Sequence, residues 1–573
     1  MKSSRRDFFQ TMGAGAAGLA IGTSSASAQN PEAAGGDDDG PVLQVGEDIA
    51  VVETTNGKVR GFVLRGVNHF LGIPYGADTS GTNRFMPPQK PEPWDDVFPA
   101  LFWGNAAPQN MDNRYRNKYM AFRDHWNYND VSEDCLRVNV FTPAVGDGKK
   151  RPVLFWCHGG GFANGNSIEH DGYNGENLAR FGDVVFVSLN HRLGPMGYCN
   201  LAGVGGDELA LSGNVGILDI AAALEWVRDN LEAFGGDPGN VTVMGQSGGG
   251  GKVSCMTTMP RAKGLVHKAV VLSGASLRMG DKELNEKLGG YVLKEAGLKP
   301  SEIGKLQEMP WTEFYALANR AEDKLTEELG PAPRRRARGF NPTVDGDILP
   351  QDPYYPEPSP VAAELPMMIC STTNERSYSW MDYSLDEMTF EEVADKIRER
   401  EGSRTGYGDD ATNVVQAFAK AFPDKKPYQL WEYIRSPRER TVALADAKSK
   451  QTPPVYVAWF GFQPPLFDSR IGAFHCVDIC FWFHNTDVML SHTGGGARPR
   501  KLATKMAGAL VKFMGSGDPN GAGLPDWPRY TSANGETMCL NDVSEVKNDP
   551  DREARQALRG YEPWLSPADR AAT

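Results

Sequence analysis

Ser247 stands in a glycine-rich segment whose residue types suit a nucleophile. The pattern is Gly-x-Ser-x-Gly over residues 245–249, directly after the apolar, β-branched run 241–244. Glycines two residues before and after a serine permit a sharp turn from a strand into a helix, which holds the serine in a strained, exposed position. A helix that begins after Ser247 would direct its free N–H groups and positive dipole end at the serine oxygen. The segment predicts a serine nucleophile; the alternative is a glycine-rich turn packed under a sheet.

A second glycine cluster could stabilise the negative charge that develops when this serine attacks a carbonyl. The apolar residues 153–157 have the length of a buried strand and lead directly into the segment His158-Gly159-Gly160-Gly161. Successive glycines let backbone N–H groups face a common point because no Cβ interferes. Preorganised donors of this kind form an oxyanion hole, and each is worth about 10²–10³ in rate. We expect the amides of Gly160, Gly161 and Gly248 to be these donors.

Ordered motifs over nearly the whole chain accompany these two clusters. They are Asn56-Gly57-Lys58-Val59-Arg60-Gly61, Phe70-Leu71-Gly72-Ile73-Pro74-Tyr75, Ser132-Glu133-Asp134-Cys135-Leu136, Asn190-His191-Arg192-Leu193-Gly194, Phe234-Gly235-Gly236-Asp237-Pro238-Gly239-Asn240 and Gly517-Asp518-Pro519-Asn520. The set resembles the type-B carboxylesterases, the family that includes cholinesterases and many bacterial esterases. The resemblance implies an α/β-hydrolase fold, with a large, mostly parallel central sheet flanked by helices. It also implies one catalytic domain over residues 41–573 that hydrolyses carboxylic esters through an acyl-enzyme intermediate.

The resemblance also indicates which histidine serves the serine. A serine hydroxyl needs a histidine base, and the histidine needs a carboxylate that fixes its tautomer. In α/β-hydrolases the acid and then the histidine follow the serine along the chain. His475, in the segment Gly472-Ala473-Phe474-His475, is similar to the histidine motif of the family. We therefore expect His475 to be the base.

The acid is less sharply marked. Glu375 follows the apolar run 366–370, and catalytic groups gather beyond the carboxyl ends of strands in open α/β sheets. The family usually has Asp-Glu-Gly at this point, whereas this chain has the segment Asn374-Glu375-Arg376, so only the glutamate is retained. We expect Glu375 to complete a Ser-His-Glu triad. Asp345 and Asp382 remain alternatives, in which case Glu375 would be an ordinary salt-bridge partner.

Four further residues bear on the substrate. Gln246 replaces the usual glutamate before the nucleophile, which removes an anion that could attract a cationic substrate. Gly248 replaces the usual alanine, and we expect this to cost the oxyanion amide little. Lys252 lies about one helical turn past Ser247 and is either a surface residue or a group that senses an acidic part of the substrate or perturbs His475. Trp126 stands near the position of the choline-binding tryptophan of cholinesterases, although cholinesterase activity is not inferred.

The N-terminal residues are typical of a targeting segment. Ser4-Arg5-Arg6-Asp7-Phe8-Phe9 matches a twin-arginine export signal, and Ala26-Ser27-Ala28 offers a cleavage site. We expect a signal peptide over residues 1–28 and a flexible acidic linker over 29–40. No later apolar run is expected to reach the roughly 18 residues that a membrane span needs. The twin-arginine machinery would then export the folded protein to a bacterial periplasm or out of the cell.

Composition narrows the partners and cofactors. The net charge of −13 disfavours nucleic acid and anionic lipid. The nine histidines are scattered and no cysteine pair has Cys-x-x-Cys spacing, so we expect no metal and no organic cofactor. The expected partner is a small-molecule ester. An amide or carbamate hydrolase with the same triad remains an alternative, as does a non-catalytic binding protein on this fold.

Overall fold

A twelve-stranded sheet organises the residues that the computed structural model describes, which are 41–111, 130–330, 339–377, 381–399, 406–436 and 438–562. Its strands are β1 (Leu43–Gln44), β4 (Phe62–Leu64), β5 (Val67–Pro74), β7 (Arg137–Thr142), β8 (Arg151–Cys157), β9 (Val185–Leu189), β10 (Gly236–Gln246), β11 (Lys268–Leu272), β12 (Met367–Thr372), β13 (Val455–Phe460), β14 (Glu536–Leu540) and β15 (Glu545–Asn548). A smaller sheet contains β2 (Val51–Thr54), β3 (Gly57–Arg60) and β6 (Phe98–Pro99).

The strand order of the large sheet is β1-β4-β5-β7-β9-β8-β10-β11-β12-β13-β14-β15. Neighbouring strands pair in parallel from β9 to β14, and antiparallel strands complete the two edges. Parallel pairing requires a crossover between strands, which places helices on the faces of the sheet. The expectation of a large, mostly parallel sheet is confirmed.

Helices cover both faces of this sheet. They are α1 (Glu176–Gly182), α2 (Gly194–Tyr198), α3 (Ala202–Gly205), α4 (Val215–Asn230), α5 (Gly248–Met256), α6 (Lys282–Glu295), α7 (Gly304–Glu308), α8 (Trp311–Leu329), α9 (Phe390–Arg398), α10 (Ala411–Ala421), α11 (Pro427–Arg435), α12 (Glu439–Lys448), α13 (Ile479–Trp482), α14 (Leu490–Thr493), α15 (Ala497–Ser516) and α16 (Arg552–Gln556).

The strands are apolar on both sides because each face has its own core. In β8, Val153 and Phe155 belong to a core that α4, α5, α6 and α8 cover. Leu154 and Trp156, which point the other way, belong to a second core under α1, α13 and α15. A continuous apolar run is therefore the expected sequence of a central parallel strand.

A third, smaller core lies in the helices that follow β12. Val393 of α9, Phe418 of α10 and Leu430 of α11 pack together with Ala554 of α16. The end of α11 and the start of α12 form part of the wall of the cavity described below. This helical group therefore supplies one side of the candidate site.

Helix α4 corrects one expectation from the sequence. By length and composition, the segment Asp207–Phe234 is apolar enough to cross a membrane, so the prediction that no such run exists is wrong. In the structure 78% of its most apolar window is buried inside the protein. Protein contacts, with residues such as Ile217 and Leu224 in the core, account for this apolar character.

All eight cysteines carry free thiols. Cys135 is fully buried beside Leu136 in the core. Packing, rather than a disulfide, therefore holds the loop that carries Cys135.

Candidate active site

Ser247 occupies a strained turn between the central strand β10 and helix α5. Its backbone angles are φ 56° and ψ −122°, a region that residues other than glycine rarely adopt and that costs of order 1–3 kcal/mol. The Ser247 N–H donates to the Leu272 carbonyl at 2.8 Å, which ties the turn to β11. A Cβ on Gly245 would overlap the backbone of Gly249. The turn therefore requires both glycines of the pattern and places Ser247 at the carboxyl end of the central strand.

Glu375 and His475 lie side by side because the loops that carry them are paired one residue earlier. Asn374 and Phe474 form a parallel β-bridge, and the Asn374 N–H donates to the Ala473 carbonyl at 3.0 Å. The next residues along the two loops, Glu375 and His475, consequently meet. His475 Nδ1 donates to Glu375 Oε2, and the Thr372 N–H donates to Glu375 Oε1 at 2.9 Å. Hydrogen bonds therefore hold both carboxylate oxygens of Glu375.

The pKa values of Glu375 and His475 shift in opposite directions, and both shifts favour the charged forms. Burial would raise the pKa of the Glu375 carboxyl, but the contacts with His475 and the Thr372 amide outweigh it and lower that pKa. Burial would lower the pKa of the His475 imidazole, but its contacts with Cys476 and Glu375 outweigh it and raise that pKa well above the ordinary value. A carboxylate that stays ionised beside a histidine is suited to stabilise an imidazolium.

Gln246 contacts the histidine rather than the cavity. Its side chain is 0% exposed, and its Nε2 lies 3.2 Å from His475 Nε2 and 3.4 Å from His475 Nδ1. Its Oε1 accepts a hydrogen bond from Cys476 Sγ at 3.3 Å. In the neutral imidazole, Nδ1 donates to Glu375 and Nε2 is left as an acceptor, which is the state a general base requires. The sequence predicts that Gln246 binds substrate, whereas the structure places its side chain where it orients the imidazole.

The loop after β8 closes over the start of α5. Gly160 and Gly161 have φ angles of 82° and 66°, a conformation that favours glycine. Within the described part of the chain, the amides of both residues have no hydrogen-bond acceptor. A Cβ on Gly248 would overlap the backbone N and O atoms of Gly161. The β8 loop therefore occupies the space that a side chain at position 248 would need. The expectation that glycine here costs the oxyanion amide little stays a prediction.

Lys252 lies beneath this loop. Its side chain is 0% exposed, and Nζ donates to the carbonyl oxygens of His158 at 2.8 Å and Gly159 at 3.3 Å. Burial lowers the pKa of its ammonium group to about 7. The prediction of a surface lysine is wrong, and the side chain does not line the cavity, so its assignment to substrate binding is wrong too. Helical spacing from Ser247 did not reveal that the β8 loop covers this position.

A cavity of about 480 Å³ lies at the candidate catalytic residues. Ser247, Gly248, Glu375 and His475 line it, and its volume suits a small organic substrate. Four arginines also line it that the sequence did not predict as site residues: Arg376, Arg435, Arg438 and Arg440. For the last three, the Arg-rich segment 435–440 is a signal in the sequence.

The alternatives for the acid lie elsewhere. Asp345 accepts from the Asn214 side chain at 2.8 Å, and Asp382 accepts from the Ser384 N–H at 3.1 Å. Neither carboxylate contacts His475 in the described structure. Trp126 lies outside the described residues, so its assignment to substrate binding stays a prediction.

Sequence comparison relates the chain to known esterases. Residues 48–558 match the model of the carboxylesterase family. The para-nitrobenzyl esterase of Bacillus subtilis (strain 168) is 32% identical over 517 residues, which are 89% of this chain and 98% of the relative. The phenmedipham hydrolase of Pseudarthrobacter oxydans is 28% identical over 523 residues, which are 89% and 99% of the two chains.

Solved structures show the same relationship. An esterase from Clostridium hathewayi, described as able to hydrolyse aliphatic aromatic polyesters, has a TM-score of 0.76 at 32% identity and covers 89% of this chain and 98% of that chain. A carboxylesterase of Geobacillus stearothermophilus has a TM-score of 0.71 at 32% identity, with 89% and 99% covered. The α/β-hydrolase fold and carboxylic ester hydrolysis, both expected from the sequence, are thereby confirmed. The chain belongs to the carboxylesterase family.

Proposed function

We propose that the protein hydrolyses small-molecule carboxylic esters with Ser247 as the nucleophile, His475 as the general base and Glu375 as the acid of the triad. The observation that carries this proposal is the Asn374–Phe474 bridge, which holds Glu375 against His475 at the cavity that Ser247 also lines. Nucleophile, base and orienting carboxylate are the parts that serine acyl transfer requires.

The chemistry proceeds in two steps. Ser247 Oγ attacks the ester carbonyl carbon while His475 Nε2 takes its proton, and Glu375 stabilises the imidazolium. The tetrahedral oxyanion accepts hydrogen bonds from the amides of Gly160, Gly161 and Gly248. Collapse breaks the bond to the alkoxy group, which leaves as the alcohol after His475 returns the proton. Water then cleaves the acyl-enzyme by the same route and releases the carboxylic acid.

Covalent labelling tests the nucleophile without knowledge of the natural substrate. A fluorophosphonate forms a stable adduct with a serine that a base and an oxyanion hole activate. Intact-mass spectrometry should show one adduct per chain, which Ser247→Ala abolishes. Ser276→Ala is the matched control, because Ser276 also lines the cavity, and it should label like the wild type. An unlabelled wild type, or labelling that persists in Ser247→Ala, would contradict the proposal.

Burst kinetics test the leaving group. An acyl-enzyme that forms faster than it hydrolyses gives a burst of alcohol product. We expect a burst of one equivalent with 4-nitrophenyl esters and none with the corresponding 4-nitroanilides. Equal bursts with both would favour the amide hydrolase.

We also propose that the precursor is exported by the twin-arginine machinery to the periplasm or the medium. The support is the segment Ser4-Arg5-Arg6-Asp7-Phe8-Phe9, which lies outside the described residues. Replacing Arg5 and Arg6 together by lysine should retain the precursor in the cytoplasm of an expressing bacterium. Replacing Lys2 by arginine is the control. Normal export of the twin-lysine variant would overturn this route.

A further inference from the structure

The cavity at Ser247 has a basic lining. Arg376, Arg435, Arg438 and Arg440 line it, whereas the whole chain carries a net charge of −13. Arg376 follows Glu375 directly in the chain, and Arg440 is the second residue of α12. Guanidinium groups are therefore concentrated in the cavity of the candidate nucleophile.

Two of these arginines have structural partners. Arg438 donates from Nη2 to Asp551 Oδ1 at 2.5 Å and from Nη1 to Thr537 Oγ1 at 3.0 Å. Arg435 donates from Nη2 to the Lys396 carbonyl at 2.8 Å. Both side chains are therefore tied into the cavity wall by hydrogen bonds to other parts of the protein.

Arg376 and Arg440 differ from them. Both are exposed to the cavity, and in the described part of the chain neither forms a hydrogen bond or an ion pair through its guanidinium group. The charge of Arg376 acts on Arg440. Although Arg440 is open to the cavity, the surrounding protein desolvates its guanidinium group and lowers its pKa; Glu439 opposes this shift and Arg376 adds to it. Two like charges that line one cavity form a site that an anion would stabilise.

The carboxylates of the cavity do not satisfy these arginines. Glu375 is engaged with His475 and the Thr372 amide. Glu439 is the other acidic residue among those that line the cavity. Burial raises the pKa of its carboxyl to about 7, so the group is largely uncharged below that pH. Below about pH 7 a ligand must therefore supply most of the negative charge.

We propose that Arg376 and Arg440 bind a free carboxylate of the substrate, so that the preferred substrates are esters that carry such a group, such as half-esters of dicarboxylic acids. The planar guanidinium group donates two parallel hydrogen bonds to a carboxylate, which gives both affinity and orientation. Because Ser247 lines the same cavity, a substrate whose carboxylate binds there has its ester group in the cavity of the nucleophile. This inference rests on the proposed function of Ser247 as the nucleophile.

The test compares a charged ester with a neutral one. The substrates are monoethyl glutarate and ethyl hexanoate, followed by acid release at constant pH 7. We expect the wild type to have the higher kcat/KM with the half-ester. Arg376→Gln and Arg440→Gln should each lower the ratio of half-ester to neutral-ester kcat/KM about tenfold, mainly through the KM of the half-ester. Arg376→Lys, which keeps the charge, should recover part of the ratio.

The matched control is Arg228→Gln. Arg228 is an exposed arginine of α4 outside the cavity, paired with Asp229, and its replacement should leave the ratio unchanged. A wild type without preference for the half-ester, or a double variant Arg376→Gln, Arg440→Gln with the wild-type ratio, overturns the inference.

A binding measurement separates this inference from the proposed function. In the Ser247→Ala background, calorimetric titration with monoethyl glutarate reads the anion site without turnover. Binding that the two arginine replacements abolish supports the inference even if Ser247 is not the nucleophile. Absent binding, or equal binding with and without the arginines, overturns it even if the labelling experiment succeeds.

Discussion

Lys252 Nζ donates hydrogen bonds to the backbone carbonyls of His158 at 2.8 Å and Gly159 at 3.3 Å, immediately before the glycines of the candidate oxyanion hole. Lys252 belongs to α5, the helix that begins directly after Ser247. One short helix therefore fixes both the nucleophile and the loop that faces it. Since backbone amides stabilise an oxyanion only when they are preorganised, the lysine acts on the reaction as a positioning residue.

Replacing Lys252 by methionine should lower kcat by about 10- to 100-fold with little change in KM, because the Gly160 and Gly161 amides lose their fixed orientation. Lys448→Met is the matched control. Lys448 is also 0% exposed, and its Nζ donates to the Ala362 carbonyl at 2.9 Å, away from the cavity. Both variants should lose thermal stability, but only Lys252→Met should lose kcat and react slowly with a fluorophosphonate. Equal kcat values for the two variants would refute the positioning role.

Gly248→Ala should lower kcat. The added Cβ would overlap the backbone of Gly161, so the loop or the helix must move and the oxyanion amides separate. We expect a loss of about 10²-fold, comparable to removing one oxyanion donor. Gly515→Ala, in α15 with open space around the glycine, should retain full activity and gain up to about 1 kcal/mol of helix stability. Full activity of Gly248→Ala would contradict this prediction and show that the loop accommodates the added Cβ.

The pH dependence of kcat/KM should report the His475–Glu375 pair. The base must be neutral, and contacts with Cys476 and Glu375 raise the pKa of His475, so kcat/KM should rise with pH through a midpoint above 6.5. Glu375→Gln removes a charge that favours the imidazolium, so it should move the midpoint to lower pH and reduce kcat about 10⁴-fold.

Asp382→Asn serves as the control, because Asp382 is the exposed carboxylate that the sequence left open as the acid. It should change neither the midpoint nor kcat. If Asp382→Asn abolishes activity while Glu375→Gln retains it, the acid is misassigned.

The features that sequence predicted best are those that a local pattern encodes. The turn at Ser247 depends on glycines two residues away, and the fold depends on apolar runs such as 153–157, whose alternate residues enter two cores. Glu375 and His475 are 100 residues apart, and the family's chain order, rather than any spacing, predicted that they would meet.

Burial of charged groups could not be predicted in this way. The position of Lys252 in the sequence is typical of a lysine on the surface of a helix, but in the structure the loop after β8 covers this side chain. Arg376 and Arg440 come together because the end of β12 and the start of α12 border the same cavity, a long-range arrangement that no local pattern contains.

Glu439 should make the preference for anionic esters depend on pH. Burial raises the pKa of this carboxyl to about 7, Arg440 opposes the shift, and Glu562 and Asp551 add to it. Below pH 7 the group is mostly neutral and the cavity cationic; above it, the carboxylate weakens the attraction of Arg440 for a substrate anion. The ratio of half-ester to neutral-ester kcat/KM should therefore fall as pH rises through 7.

Glu439→Gln removes the titrating charge and should flatten this fall. The same linkage acts on stability. Since the pKa is raised in the folded protein, the stabilising contribution is complete below the ordinary pKa near 4.5 and is lost as pH rises through about 7. Thermal unfolding should accordingly show the variant to be more stable than the wild type at pH 8, by a margin that shrinks toward pH 4. A ratio that falls equally in both proteins would assign the pH dependence to another group.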